Sequence, residues 1–213
     1  GLPAKHTLHQ ERIFALEEEV AEHQEIRPLK IAILNLMPTK IQTETQILRL
    51  ISKSPIQVSC DFMRVSSHVS KHTPEDHLVN FYDTFDAFEA KNYDGLIVTG
   101  APLEEIRYED VDYWDEFCRI VDWSQEHCFS TMYLCWGALA GLYHLYGIPK
   151  KQLGSKLFGI FPQRLCDEYS FLTNGFDEVH YMPHSRHAAI DTGELAGHTE
   201  LAVLSEGFDS GPA

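Results

Sequence analysis

The chain has 213 residues, 44% of them hydrophobic, which suits one compact domain with a sizeable core and excludes a disordered chain. Seventeen Lys and Arg stand against 32 Asp and Glu, a formal charge of -15, which opposes nucleic acid or an anionic membrane surface as the main partner. No apolar run approaches the roughly 18 residues of a membrane span and the N-terminal stretch is too charged for a signal peptide, so the sequence reads as soluble and cytoplasmic.

Residues 1–27 are polar and charged, with Phe14, Leu16 and Val20 offering a weak apolar face. They read as an N-terminal arm that packs on the domain or on a partner subunit, and a homodimer fits that reading. Residues 28–213 read as a single α/β domain. Lys30–Leu36 is a short apolar run of the kind buried in a parallel sheet, closed by Met37-Pro38. Thr39 to Ser54 follows as a helix with Ile41, Ile47, Leu48 and Ile51 on one face and Gln42, Glu44 and Arg49 pointing away. Ile56 to Val65 is the next strand, and Tyr93 to Gly100 is a third that runs into a glycine turn. A helix from Asp110 to Glu126 carries Val111, Trp114, Cys118 and Val121 on one stripe. Phe129 to Leu134 is a fourth strand, and Ala138 to Tyr146 a helix stopped by Gly147 and Pro149.

Strand and helix alternating with short joints predict a doubly wound α/β fold, a parallel sheet covered on both faces. Beyond Gly159 the pattern changes to short strands and turns, with a strand at Glu200 to Leu204. The turn signals of Gly207 to Ala213 predict a further strand to follow, so the domain reads as cut short at its C-terminal end. Ligands bind at the carboxyl ends of the strands in such sheets, which points to the loops Asn35–Lys40, Thr99–Ile106 and Leu134–Gly137.

Five cysteines (Cys60, Cys118, Cys128, Cys135, Cys166) without a C-x-x-C pair argue against a disulfide framework and a zinc knuckle. Cys135 differs from the others because it stands between a buried strand and a helix rich in small residues, Trp136-Gly137-Ala138-Leu139-Ala140-Gly141. That is the setting of a nucleophile elbow, where the helix start supplies partial positive charge and open N–H groups to a thiolate. On spacing alone an ordinary buried thiol remains equally open. The Trp136 N–H and the backbone of Gly100 and Ala101, at the end of a neighbouring strand, are candidate oxyanion donors. Among twelve histidines, His144 points away from the elbow. His180, His184 and His187 cluster in sequence, but no spacing is diagnostic of a metal site, so none is assigned.

Asn35-Leu36-Met37-Pro38-Thr39-Lys40, Leu96 to Leu103, Leu134-Cys135-Trp136, Tyr146-Gly147-Ile148-Pro149-Lys150 and Pro183-His184-Ser185-Arg186 together resemble, in order and spacing, the successive motifs of the homoserine O-acyltransferase (homoserine trans-succinylase) family. The resemblance covers nearly the whole chain. It implies a glutamine-amidotransferase-like (flavodoxin-like) fold and a ping-pong reaction in which Cys135 takes an acyl group from acyl-coenzyme A as a thioester and passes it to an amino-acid hydroxyl. It further implies that Lys156 contacts substrate, that Ser185 helps bind the acceptor, and that Glu104 selects acetyl over succinyl. A carboxylate about 4 Å from the distal carboxylate of succinyl, at an effective dielectric near 20, repels it by roughly 4 kcal/mol. The family's His-x-Glu base and acceptor-binding arginine fall downstream of these residues.

The reading that follows is an O-acetyltransferase of methionine or cysteine biosynthesis. It uses acetyl-coenzyme A as substrate and no permanently bound cofactor, and acts on homoserine or serine, acceptors one methylene apart. A thiol amidase or hydrolase of glutamine-amidotransferase type, and an inactive binding domain without a base, are the alternatives.

Overall fold

The computed structural model describes residues 2–13, 27–67, 73–167 and 169–212. The chain packs as two compact units, one of residues 1–102 and 108–138, the other of residues 103–107 and 139–213. Phe14, Leu16 and Val20 lie outside the described residues.

The first unit is built on five parallel strands: β1 (Leu29–Leu34), β2 (Val58–Arg64), β3 (Tyr82–Thr84), β4 (Gly95–Val98) and β5 (Thr131–Tyr133), in the order β3-β2-β1-β4-β5. Ala32, Ile33 and Leu34 of the central strand are fully buried, as a strand covered on both faces requires. Helix α1 (Pro3–Gln10) buries Ala4 and Leu8. Helix α2 (Lys40–Ile51) carries the chain from β1 to β2, α3 (Glu75–Phe81) precedes β3, and α4 (Trp114–His127) carries it from β4 to β5. The β1–β2 and β4–β5 crossovers step in opposite directions. Right-handed connections therefore put α2 and α4 on opposite faces and leave a switch point between β1 and β4.

Ile47, Leu48 and Ile51 of α2 and Leu78 and Phe81 of α3 pack on the buried cluster Ile33, Phe62 and Tyr82. Glu11, just past α1, takes two hydrogen bonds from the Arg49 guanidinium of α2 at 2.5 Å. Helix α4 buries Phe117, Ile120, Val121 and Trp123; of the expected stripe Val121 is buried within the helix, while Trp114 and Cys118 are only half-buried. A 3-10 turn, Tyr108–Asp110, precedes it and the helix begins only at Trp114, so Val111 never joins its spacing. Glu44 also departs from expectation: it is fully buried, for reasons that belong to the site below.

In the second unit the chain leaves α5 (Trp136–Tyr146) through Gly147, whose φ of +71° and N–H bond to the Tyr143 carbonyl at 2.9 Å close the helix. Two long antiparallel strands follow, β6 (Lys150–Leu165) and β7 (Val179–Ile190), with β8 (Ser205–Gly207) and β9 (Gly211–Pro212) completing a sheet of order β7-β6-β8-β9. A one-turn helix, α6 (Thr192–Leu195), starts at Asp191, whose carboxylate accepts from the Gly193 N–H. The short strands expected beyond Gly159 are thus one long ladder that starts before it. Pro162 is tolerated because it pairs with Tyr181 on one side, while β8 begins only opposite Gln163–Leu165, so no ladder partner needs the missing N–H. No strand forms at Glu200 to Leu204; pairing starts at Ser205.

Candidate active site

Cys135 is exposed and has φ +53°, the left-handed conformation that a residue with a side chain adopts only when its surroundings impose it. The imposing contacts are on both sides of it. The Leu134 N–H bonds the Val98 carbonyl at 2.9 Å, which holds the end of β5 to β4. The N–H groups of Gly137 and Ala138 turn back onto the carbonyls of Leu134 and Cys135 at 2.9 and 3.0 Å. Glycine is needed at two places around this turn. A methyl group on Gly137 would stand 2.7 Å from the Thr99 carbonyl oxygen, and one on Gly100 would stand 2.9 Å from Cys135 Cβ and 3.4 Å from its Sγ. The first unit therefore brings Cys135, Trp136, Gly100 and Ala101 together. The backbone N–H groups of Gly100, Ala101 and Trp136 donate to no other described residue. The Trp136 indole is fully buried against Phe117, Tyr108 and Tyr113, which leaves its backbone N–H as the group at the helix start.

A buried polar network that the sequence did not announce underlies the loop after β1. The Glu44 carboxylate accepts from Tyr82 OH at 2.6 Å and meets His77 Nε2 at 2.9 Å. Asn35 Nδ2 donates to Tyr82 OH at 2.8 Å, and the Lys40 ammonium donates to the carbonyls of Asn35 and Met37. Burial pushes Lys40 down to about 8, against the pull of Glu44 and with help from the Arg64 guanidinium. The Leu36 N–H donates to Thr99 Oγ1 at 2.8 Å, so the loop after β1 is bonded across the switch point to the residue before Gly100. The helical wheel assigned Glu44 to solvent because it stands among Gln42 and Arg49; the signal that could have found it is the pair His77 and Tyr82 far along the chain.

The second unit carries Glu104, Lys156 and Ser185. Glu104 is half-buried, and its backbone carbonyl accepts from the Gln152 side chain of β6, while Lys150 reaches the carbonyls of Leu103 and Ile106. Ser185 lies opposite Phe158 in the β6–β7 register, and Lys156 Nζ stands 5.5 Å from the centre of the Phe158 ring, so Lys156 and Ser185 flank one aromatic side chain. The three histidines of β7 do not converge. His184 is enclosed, accepts from Gln163 Nε2 at 3.0 Å and is held below its ordinary value by burial and by Arg186. His180 meets Ser205 Oγ at 3.1 Å, and His187 lies 3.9 Å from Glu105. Among the described residues no group of three or more His, Cys, Asp or Glu could hold a metal ion. One His-x-Glu spacing went unnoticed in the sequence: His198 Nδ1 lies 3.0 Å from a Glu200 carboxylate oxygen, with Tyr146 edge-on to the imidazole.

The parallel sheet matches known structures. A glutamine amidotransferase from Thermotoga maritima superposes with a TM-score of 0.60 at 8% identity, covering 88% of this chain and 70% of that one, which shows a glutamine-amidotransferase-like fold. The homoserine O-acetyltransferase of Bifidobacterium adolescentis is 60% identical over 212 residues, all of this chain and 62% of that protein. The homoserine O-acetyltransferase of Methanomassiliicoccus intestinalis is 52% identical over 212 residues, all of this chain and 69% of that protein. The chain thus spans less than two thirds of the length of the first of these relatives. No helix among the described residues is long and apolar enough to cross a membrane. The family profile described as homoserine O-succinyltransferase matches residues 1–213, and with that match the chain belongs to the homoserine O-succinyltransferase family.

Proposed function

We propose that this chain supplies the acyl-carrying part of a cytoplasmic homoserine O-acetyltransferase. It takes acetyl from acetyl-coenzyme A onto Cys135 as a thioester and delivers it to the side-chain hydroxyl of homoserine, or of serine. In this reading residues 28–213 work as one acyltransferase domain and residues 1–27 as its arm. The observation that carries the proposal is the left-handed φ of Cys135 at the start of α5, beside Gly100, in a chain 60% identical to a named homoserine O-acetyltransferase.

The chemistry follows from the parts. The Cys135 sulfur attacks the acetyl carbonyl and the C–S bond to coenzyme A breaks, with the departing thiolate taking up a proton. The charge on the carbonyl oxygen falls to the backbone N–H groups of Trp136, Gly100 and Ala101. In the second half the acceptor hydroxyl loses its proton to a base, attacks the thioester, and Cys135 leaves. Lys156 and Ser185 hold the acceptor, and Glu104 disfavours a donor with a distal carboxylate. No resident cofactor is needed in this scheme.

Mass spectrometry of the intact protein after mixing with acetyl-coenzyme A tests it. An acetyl adduct on Cys135, absent in Cys135→Ser, is expected. O-acetylhomoserine should form from it when homoserine is added. Ammonia release from glutamine with no adduct would establish the amidase reading, and neither product would establish a binding domain. Prompt discharge by homoserine within these residues would make His198 the first base to mutate.

A further inference from the structure

The donor proposed above is itself anionic, a nucleoside diphosphate at the end of a pantetheine arm, and a chain of formal charge -15 must hold it at a local cationic site. Most cations of the first unit are committed elsewhere. Arg27 is bonded to Asp94, Arg49 to Glu11 and Arg119 to Glu89. Lys30 lies at the amino end of β1, the wrong edge of the sheet, and Lys91 stands over the Phe88 ring. Among the described residues, Arg64, the last residue of β2, and Lys40, the first of α2, stand on the carboxyl edge, and the Lys40 ammonium already donates to the carbonyls of Asn35 and Met37.

Arg64 is distinguished by what it lacks. Its Nε is buried with no hydrogen-bond partner, and its guanidinium makes no ion pair among the described residues, although part of the side chain stays open to solvent. A buried donor left without an acceptor destabilises the fold unless something outside the chain supplies one. Carboxylates of the first unit are engaged elsewhere: Glu116 accepts from the backbone N–H and the hydroxyl of Ser66 and of Ser67, and Asp61 accepts from the Tyr93 hydroxyl. Glu44 is likewise engaged by Tyr82 and His77. Lys40 and Arg64 are close enough for the guanidinium to push the ammonium toward its neutral form, while the Glu44 carboxylate pulls it the other way.

The spacing fits the donor. Arg64 ends β2 and Cys135 follows β5, three strand steps away in the order β2-β1-β4-β5, which is about 14 Å at the ordinary strand separation. A pantetheine arm, two amide units between thiol and diphosphate, reaches about 16 Å when extended at peptide-like bond lengths.

We propose that Arg64, with Lys40 beside it, is the anchor of the donor's diphosphate, and that the pantetheine arm runs from there along the carboxyl edge of β1 and β4 to Cys135. A guanidinium suits the task because its planar fork meets two phosphate oxygens at once. This site rests on the acyltransferase reading, and the test separates the two. The full chain is given acetyl-coenzyme A or S-acetylpantetheine, which carries the same thioester and arm without phosphate, and the rate of acetyl adduct formation on Cys135 is followed against donor concentration. Arg64→Gln should raise the half-saturating acetyl-coenzyme A concentration roughly tenfold to hundredfold, leave S-acetylpantetheine unchanged, and be partly rescued by Arg64→Lys. Equal effects on both donors, or none on either, would remove Arg64 from the donor site while leaving the acyltransferase reading intact. A wild-type chain that accepts neither donor would refute that reading and this site together.

Discussion

Gly100 and Cys135 are so close that no side chain fits between them: a Cβ on Gly100 would lie 2.9 Å from that of Cys135. Since Cys135 is already held in a left-handed turn, it cannot retreat without unwinding the start of α5. Gly100→Ala should therefore displace the thiol and slow acetyl loading at least about a hundredfold. The clash should cost only about 1–3 kcal/mol of stability. Loading kinetics beside a urea titration measure both, and wild-type loading in a folded Gly100→Ala chain would mean that the thiol does not need this position.

The buried network below the β1 loop should matter for stability. Tyr82→Phe removes the hydroxyl that donates to Glu44 and accepts from Asn35, leaving a fully buried carboxylate short of a donor. A loss of about 1–3 kcal/mol is expected. Tyr93→Phe, which removes a less enclosed bond to Asp61, should cost less. Urea denaturation of the two variants checks the order, and a reversed order would show that Glu44 finds another donor.

Lys40 provides a pH signature. Burial lowers it from 10.5 to about 8, so below pH 8 both folded and unfolded chains carry the proton and the folded one bears the full burial cost. Between about pH 8 and 10.5 the folded chain releases the proton while the unfolded chain keeps it, and stability rises with pH across that window. Lys40→Met lacks the rise. The stability of wild type relative to the variant should climb by up to about 3 kcal/mol over the window. A flat difference in urea titrations at pH 7, 8, 9 and 10 would show that Lys40 is solvated in the folded chain.

Glu104 should set the donor by charge. Glu104→Gly is expected to raise succinyl-coenzyme A use relative to acetyl-coenzyme A, by up to about a thousandfold if the carboxylates approach to about 4 Å at an effective dielectric near 20. Added salt should favour succinyl in the wild type if the repulsion is partly exposed. A donor ratio that ignores both the substitution and salt would rule out the electrostatic account.

What the sequence disclosed and what it hid divide along one physical line. The elbow was legible because its determinants are local: an apolar strand, Cys135, then the small residues that let α5 approach β4. The parallel sheet was legible for the same reason, from the short apolar run of β1 and the Ile47, Leu48 and Ile51 stripe. Glu44 was misread because its burial depends on His77 and Tyr82, partners 33 and 38 residues away. The three-residue strand β3 is too short to show a period, and β6 was hidden by Gly154, Gly159 and Pro162, which mimic turns: Gly159 and Pro162 are carried by the β7 ladder, and Gly154 lies in the register shift between Gln152 and Leu157. Arg64 gave no sign in the sequence, since an arginine ending a strand reads as solvated until its missing partner is seen.

The left-handed backbone at Cys135 sets the thiol chemistry proposed for it against the fold. An L-residue with a side chain costs about 1–2 kcal/mol in that conformation, and glycine costs far less. Evolution could recover that energy in one step by losing the sulfur. Cys135→Gly should therefore melt above the wild type, by several degrees for a chain of this size, and carry no acetyl at all. The elbow would then be a place where the chain is kept less stable than its own sequence neighbourhood allows, so that a thiol can stand at the mouth of the sheet.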